Sequence, residues 1–312
     1  MSREPPNDAL ASANARLGTT VDGKYRLRAL LGIGGMGLVY DAEHLFLSRH
    51  VALKILHPRY ADTHEGATRF LKEARAAGSI GHRAIVQVMD AGFVDGTTPY
   101  LVMELLEGEN LEQRIDRRSG IRVKQAAVVL REMMKGLAAA HAKGIVHCDL
   151  KPANVFLVER AFDVGAIKIL DFGISKMAHD KMTSISDSGE HVMGTPQYMA
   201  PEQVKGGTLS TATDIYGAGA VIYEALTGVS AFAARSRVES FVKILRDPPP
   251  PIVGKREPVP PQFAALIEKM LAKEPGERPA SPQDVIQLLE DFGLVPPSGS
   301  SGRIQAAKPR RE

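Results

Sequence analysis

The stretch Ile145-Val146-His147-Cys148-Asp149-Leu150-Lys151-Pro152-Ala153-Asn154-Val155-Phe156 constrains this chain more than any other. It places Asp, Lys and Asn at n, n+2 and n+5 in a loop between a helical pattern and an apolar strand. A carboxylate there can orient a hydroxyl nucleophile and accept its proton, Lys151 can neutralise a transferred phosphoryl group, and the Asn154 amide oxygen suits Mg²⁺. A further apolar strand, 166–170, runs into Asp171-Phe172-Gly173, where a carboxylate can hold a divalent ion bridging nucleotide oxygens.

Upstream lies Gly32-Ile33-Gly34-Gly35-Met36-Gly37-Leu38-Val39, between two predicted strands. Glycines let backbone amides approach phosphates closely because no Cβ intervenes, and a flexible hairpin turn is the other reading of the same residues. The loop continues into an apolar strand, 38–42, whereas a dinucleotide-binding loop should lead into a helix. Lys54 closes Val51-Ala52-Leu53-Lys54 inside an apolar strand, where an ammonium is costly to desolvate without anionic partners. Glu73, on the helix predicted near 64–78, can reach back to it; the alternative is an edge-strand lysine and a solvated glutamate.

The pattern of periods predicts an α+β chain of two lobes. Strands at 25–31, 38–42, 50–56, 85–89 and 100–105, with one helix, form an N-terminal lobe over 23–107. After Gly108 the period becomes helical: Leu130, Met134, Leu137 and His141 make one stripe, and Ile215, Gly219, Ile222 and Leu226 another. Helices near 236–246, 261–273 and 281–292 complete a C-terminal lobe over 108–294. Residues 1–22 and the basic tail 295–312 are polar and aperiodic, and are expected to be disordered.

Composition narrows the classes. The net charge of +3 equals that of the last ten residues, so the remainder is balanced and gives no nucleic-acid signature. The single cysteine, Cys148, forms no internal disulfide, and the histidines show no zinc-type spacing, so a reducing cytoplasm is the expected location. No apolar run reaches the roughly 18 residues of a membrane span, and the N-terminus is not that of a signal peptide.

Together these residues resemble the eukaryotic-like protein kinase family, in its bacterial serine/threonine branch: glycine-rich loop, Lys54, the Asp149 loop, Asp171-Phe172-Gly173, and Ala200-Pro201-Glu202. The resemblance runs from about residue 24 to 294. It implies the two-lobed kinase fold, with an antiparallel N-lobe sheet plus one helix and a mainly helical C-lobe. It also implies ATP and Mg²⁺, or Mn²⁺, as cofactors. Gly32, Ile33, Gly34, Gly35 and Gly37 would cover the phosphates. Lys54 would bind the α/β-phosphates and pair with Glu73, Asp149 would be the catalytic base assisted by Lys151, and Asn154 and Asp171 would hold the metal. Val39, Ala52 and Phe156 would sandwich adenine and Met103 would gate the back pocket. Backbone groups of Glu104 and Leu106 would bond the base, their side-chain identity mattering little. Implied partners are proteins with Ser/Thr acceptors, phosphorylated in bacterial signalling, and a homodimer that autophosphorylates; nucleic acid and a membrane span are not implied.

Lys151, with Gly194-Thr195-Pro196 before Tyr198, resembles the serine/threonine branch, and Glu202 is expected to pair with Arg278. Two positions depart from the family. Cys148 replaces the arginine that receives the activation-segment phosphate. One reading is that activity depends little on phosphorylation of Thr183, Ser184, Ser186 or Ser188; a second is that Cys148 is a small packed residue and a different cation compensates; a third is a redox role for the thiol. Tyr216 stands where tryptophan is usual, and a repacked contact is expected, while Asp214 is expected to brace the catalytic loop. A catalytically inert kinase-like scaffold and a small-molecule phosphotransferase are the rival readings; the full polar set argues against the first, and Gly194-Thr195-Pro196 with Ala200-Pro201-Glu202 against the second.

Overall fold

The computed structural model describes residues 7–34, 37–57, 60, 64–159, 166–172 and 196–297. Six antiparallel strands form the upper sheet in the order β1-β2-β3-β4-β6-β5: β1 (Thr20–Val21), β2 (Tyr25–Ile33), β3 (Gly37–His44), β4 (Arg49–Leu56), β5 (Val88–Val94) and β6 (Thr98–Glu104). β4 is buried without interruption from Val51, as a strand covered on both faces must be. Val51, Leu53 and Ile55 pack on one face with Leu27, Tyr40 and Tyr100. Ala52 and Leu56 face the other way, against Phe70 and Ala74 of α2 (His64–Ile80). The strand period of two puts Lys54 on that second, helix-covered face.

Two boundaries differ from the sequence expectation. Residues 1–22 are not structureless throughout: α1 (Asn7–Asn14) and β1 lie within them, Ala13 is wholly buried, and the Tyr40 hydroxyl donates to its carbonyl at 3.0 Å. Docking through one alanine and a backbone oxygen leaves no apolar period to read. The fifth strand is Val88–Val94 rather than 85–89, because Ile85 and Val86 turn toward the lower lobe, where Val86 N–H donates to the Ile169 carbonyl.

Below lies a second sheet in the order β7-β8-β9, from β7 (Gly108–Asn110), β8 (Val155–Val158) and β9 (Ile167–Ile169). The helices are α3 (Leu111–Arg118), α4 (Val123–His141), α5 (Pro201–Val204), α6 (Thr211–Thr227), α7 (Arg237–Arg246), α8 (Pro261–Met270) and α9 (Pro282–Asp291). The stripes Leu130, Met134, Leu137 and Ile215, Ile222, Leu226 all enter the lower core, which extends to Val295, one residue beyond the expected boundary. Among the described residues no helix is long and apolar enough to cross a membrane.

Candidate active site between the lobes

The loop 145–151 is fixed from beneath by one carboxylate. Asp214, wholly buried on α6, accepts His147 N–H at 2.8 Å and His141 Nε2 at 2.7 Å on Oδ2, and Cys148 N–H at 2.9 Å on Oδ1. Asp214 therefore braces the loop as expected. His141, read from sequence as a core-stripe residue, also serves as a polar strut. Cys148 holds a left-handed φ of 62°, which costs an L-residue roughly 1–2 kcal/mol. Its N–H is held by Asp214 and its carbonyl by Gln203 Nε2 at 2.9 Å, so a small buried side chain is clamped at both backbone groups.

His147 connects this loop to the end of β9. Its ring donates from Nε2 to the Leu170 carbonyl at 2.9 Å and accepts Asp149 N–H on Nδ1 at 3.2 Å, a pattern that fixes the neutral tautomer. Burial acts in the same direction, holding the imidazole pKa below its ordinary value. The ring also lies against Phe172, with centroids 4.6 Å apart.

On this frame the polar groups converge. Lys151 Nζ donates to Asp149 Oδ2 at 3.0 Å. Asn154 Nδ2 donates to the Asp149 carbonyl at 2.9 Å and to Asp149 Oδ2 at 3.3 Å, and its amide oxygen accepts no hydrogen bond among the described residues. Lys54 Nζ donates to Asp171 Oδ1 at 2.6 Å across 117 residues of chain. Partial loss of water at the cleft wall opposes ionisation of Asp171, but the Lys54 ammonium, with Lys151 beyond it, outweighs this and lowers its pKa. Asp171 remains open to the cleft, with 46% of its side chain exposed, and takes a left-handed φ of 47°. Backbone strain at both ends of one polar cluster is characteristic of a functional site. Glu73 lies on α2, but its side chain is outside the described residues, so Lys54 is seen with Asp171 alone.

Strand register assembles the upper wall. Val39 pairs with Lys54, and Ala52 with Met103. Val39, Ala52, Met103, Leu106 and Leu170 belong to one apolar cluster. Phe156 stands apart from it, on β8 opposite Lys168. The glycines separate into two kinds. A Cβ on Gly37 would meet the Ile55 carbonyl oxygen at 2.3 Å, so the fold itself requires that glycine. Gly32 has open space around it and Gly34 meets only the Gly37 carbonyl at 3.5 Å, so no neighbour forbids a side chain at either. Gly35 and Gly173 lie outside the described residues, as do Gly194, Thr195 and the hydroxyls at 183, 184, 186 and 188.

The Glu104 side chain, given no role in the sequence reading, is engaged: it bridges to Lys168 and accepts Gln87 N–H at 2.7 Å. An acidic residue at the end of an apolar strand, with a lysine inside another, was the available signal.

Below the cleft, Glu202 and Arg278 form the expected pair, both buried, with Nη1 to Oε1 at 2.7 Å and Nη2 to Oε2 at 2.8 Å. Arg278 uses its remaining donors on the carbonyls of Ala272, Ala212 and Lys273. Its guanidinium lies 5.0 Å from the Tyr216 ring centroid, which is parallel to Phe232. Tyr216 thus repacks the position with an aromatic face, but its buried hydroxyl has no hydrogen-bond partner among the described residues. Tyr216→Phe should accordingly leave stability unchanged or raise it by up to about 1 kcal/mol, measured by denaturant unfolding; a loss beyond that range would show that the hydroxyl has a partner.

Comparison with known proteins agrees with this geometry. A model of the protein kinase domain matches residues 25–289. Serine/threonine-protein kinase PknA of Mycobacterium tuberculosis is 38% identical over 314 residues, covering 93% of this chain and 70% of PknA. Serine/threonine-protein kinase pkn3 of Myxococcus xanthus is 34% identical over 269 residues, covering 85% of this chain and 49% of its own length. The crystal structure of the Mycobacterium tuberculosis PknI kinase domain matches with a TM-score of 0.68 at 25% identity, over 88% of this chain and 98% of that one. The chain belongs to the protein kinase family, in its bacterial eukaryotic-like serine/threonine branch.

Proposed function

We propose that this protein transfers the γ-phosphate of ATP to serine and threonine hydroxyls of other proteins, itself included. The observation that carries the reading is the convergence of Lys54 and Asp171 with the loop that bears Asp149, Lys151 and Asn154. The acceptor hydroxyl attacks the γ-phosphorus, the bond to the β,γ-bridging oxygen breaks, and ADP leaves. Asp149 orients the hydroxyl and takes its proton, while Lys151 neutralises charge on the transferred group. Lys54 holds the α/β-phosphates, and Gly32 and Gly34 admit them to the backbone. The Asn154 amide oxygen and the Asp171 carboxylate form a hard-oxygen donor pair that fits Mg²⁺, which would neutralise phosphate charge. Val39, Ala52 and Met103 supply the apolar walls for adenine, with the backbone of Glu104 and Leu106 at its edge.

Lys54→Ala should weaken binding of magnesium-free ATP by roughly tenfold, because a charge-assisted bond of about 1.5 kcal/mol is lost. Titration calorimetry reads this directly, and equal affinities for variant and wild type would remove Lys54 from the nucleotide site.

A further inference from the structure

A cavity of about 1060 Å³ shares no residue with the catalytic cluster. It lies where β7, β8 and the start of α4 meet the turn after α3, with Ile121, Val128 and Leu157 among its apolar walls. Six cationic side chains line it against three carboxylates. Two of the carboxylates are occupied: Glu109 binds Arg114 and Arg117, and Glu257 accepts Val123 N–H at 2.7 Å. Arg256 is tethered to the Arg118 carbonyl at 3.0 Å. Arg118, Arg122 and Lys124 are exposed and form no ion pair among the described residues. The N-terminus of the nineteen-residue helix α4 adds positive potential at the same place.

We propose that this cavity is a docking site for an extended acidic segment of the protein substrate, an inference that rests on the function proposed above. Its volume reaches the upper limit of ordinary small-ligand pockets, so a lone phosphate would leave it mostly empty. Apolar walls beneath a cationic rim suit a peptide with one apolar residue between carboxylates. Nucleic acid fits less well, because no aromatic side chain lines the cavity for base stacking. The chain's own tail, with Lys308, Arg310 and Arg311, carries the wrong charge.

The test uses fluorescence anisotropy on the full chain without nucleotide. The probe is a short fluorescein-labelled peptide of glutamates around one leucine, with a glutamine-for-glutamate twin and a short oligothymidylate as comparators. Combined Arg118→Glu, Arg122→Glu and Lys124→Glu should weaken the glutamate peptide by at least tenfold, while Arg246→Glu, elsewhere on the surface, leaves it unchanged. Fused to a phosphoacceptor peptide, the same segment should lower KM about tenfold with kcat unchanged, in the wild type but not in the triple variant. Equal binding of the glutamate and glutamine peptides, or of the triple variant and wild type, would overturn the proposal, as would preference for the oligothymidylate. Binding is read without turnover, so a chain that binds the peptide but transfers no phosphate would instead contradict the proposed function.

Discussion

Glu202→Ala should cost about 3–5 kcal/mol of stability, because it leaves a buried guanidinium without its counter-charge. In a domain of this size that lowers the Tm by on the order of 10 °C. The expectation follows from an Arg278 whose five N–H donors all have acceptors, two of them on Glu202. Replacing both partners by apolar residues of similar volume should recover much of the loss. Differential scanning calorimetry of single and double variants checks this, and a single variant within about 1 kcal/mol of wild type would contradict a dry, fully paired bridge. The pH dependence has a definite sign. Burial opposes ionisation of Glu202, but the Arg278 hydrogen bonds outweigh it and hold the carboxyl below its ordinary value of 4.5. The stabilisation is therefore fully present above pH 4.5 and is lost as pH falls through the lower folded-state value. Glu202→Gln should lack that acid step.

Asp149→Asn should reduce the rate of phosphate transfer by about 10³-fold while leaving the fold intact, since the amide keeps the shape of the carboxylate but cannot take a proton. Its neighbours predict the same separation of activity from stability. The backbone at 147–149 is held by Asp214, Gln203 and the His147 ring, none of which depends on the Asp149 carboxylate. Initial rates with saturating ATP, alongside thermal unfolding, read both quantities. A variant retaining more than about a tenth of the wild-type rate would exclude proton transfer to Asp149 as a large part of catalysis.

What could be read from sequence was whatever rests on spacing. Asp149, Lys151 and Asn154 lie within one short loop, so their convergence needs only that the loop be held, and the apolar strand around Lys54 signals an ammonium turned toward a cleft. What could not be read depends on tertiary partners. His141 falls on an apolar stripe by period, yet its ring is spent on Asp214, 73 residues away. Glu104 looks like an ordinary strand-end charge until Lys168 is brought beside it from β9. The burial of Ala13 beneath Tyr40 involves a side chain too small to mark a pattern. Cys148 reads in sequence as a missing positive charge; the structure adds that its backbone, held by Asp214 and Gln203 at a left-handed φ of 62°, is what sets the direction of the chain into Asp149.

The most direct test of the account is mass spectrometry of purified protein incubated with Mg²⁺ and ATP in the presence of a mixed serine, threonine and tyrosine peptide library. The account predicts phosphate on serine and threonine with the wild type, and labelling reduced by about 10³-fold with Asp149→Asn. Phosphate on tyrosine alone, equal labelling by both proteins, or no labelling by the wild type would contradict it.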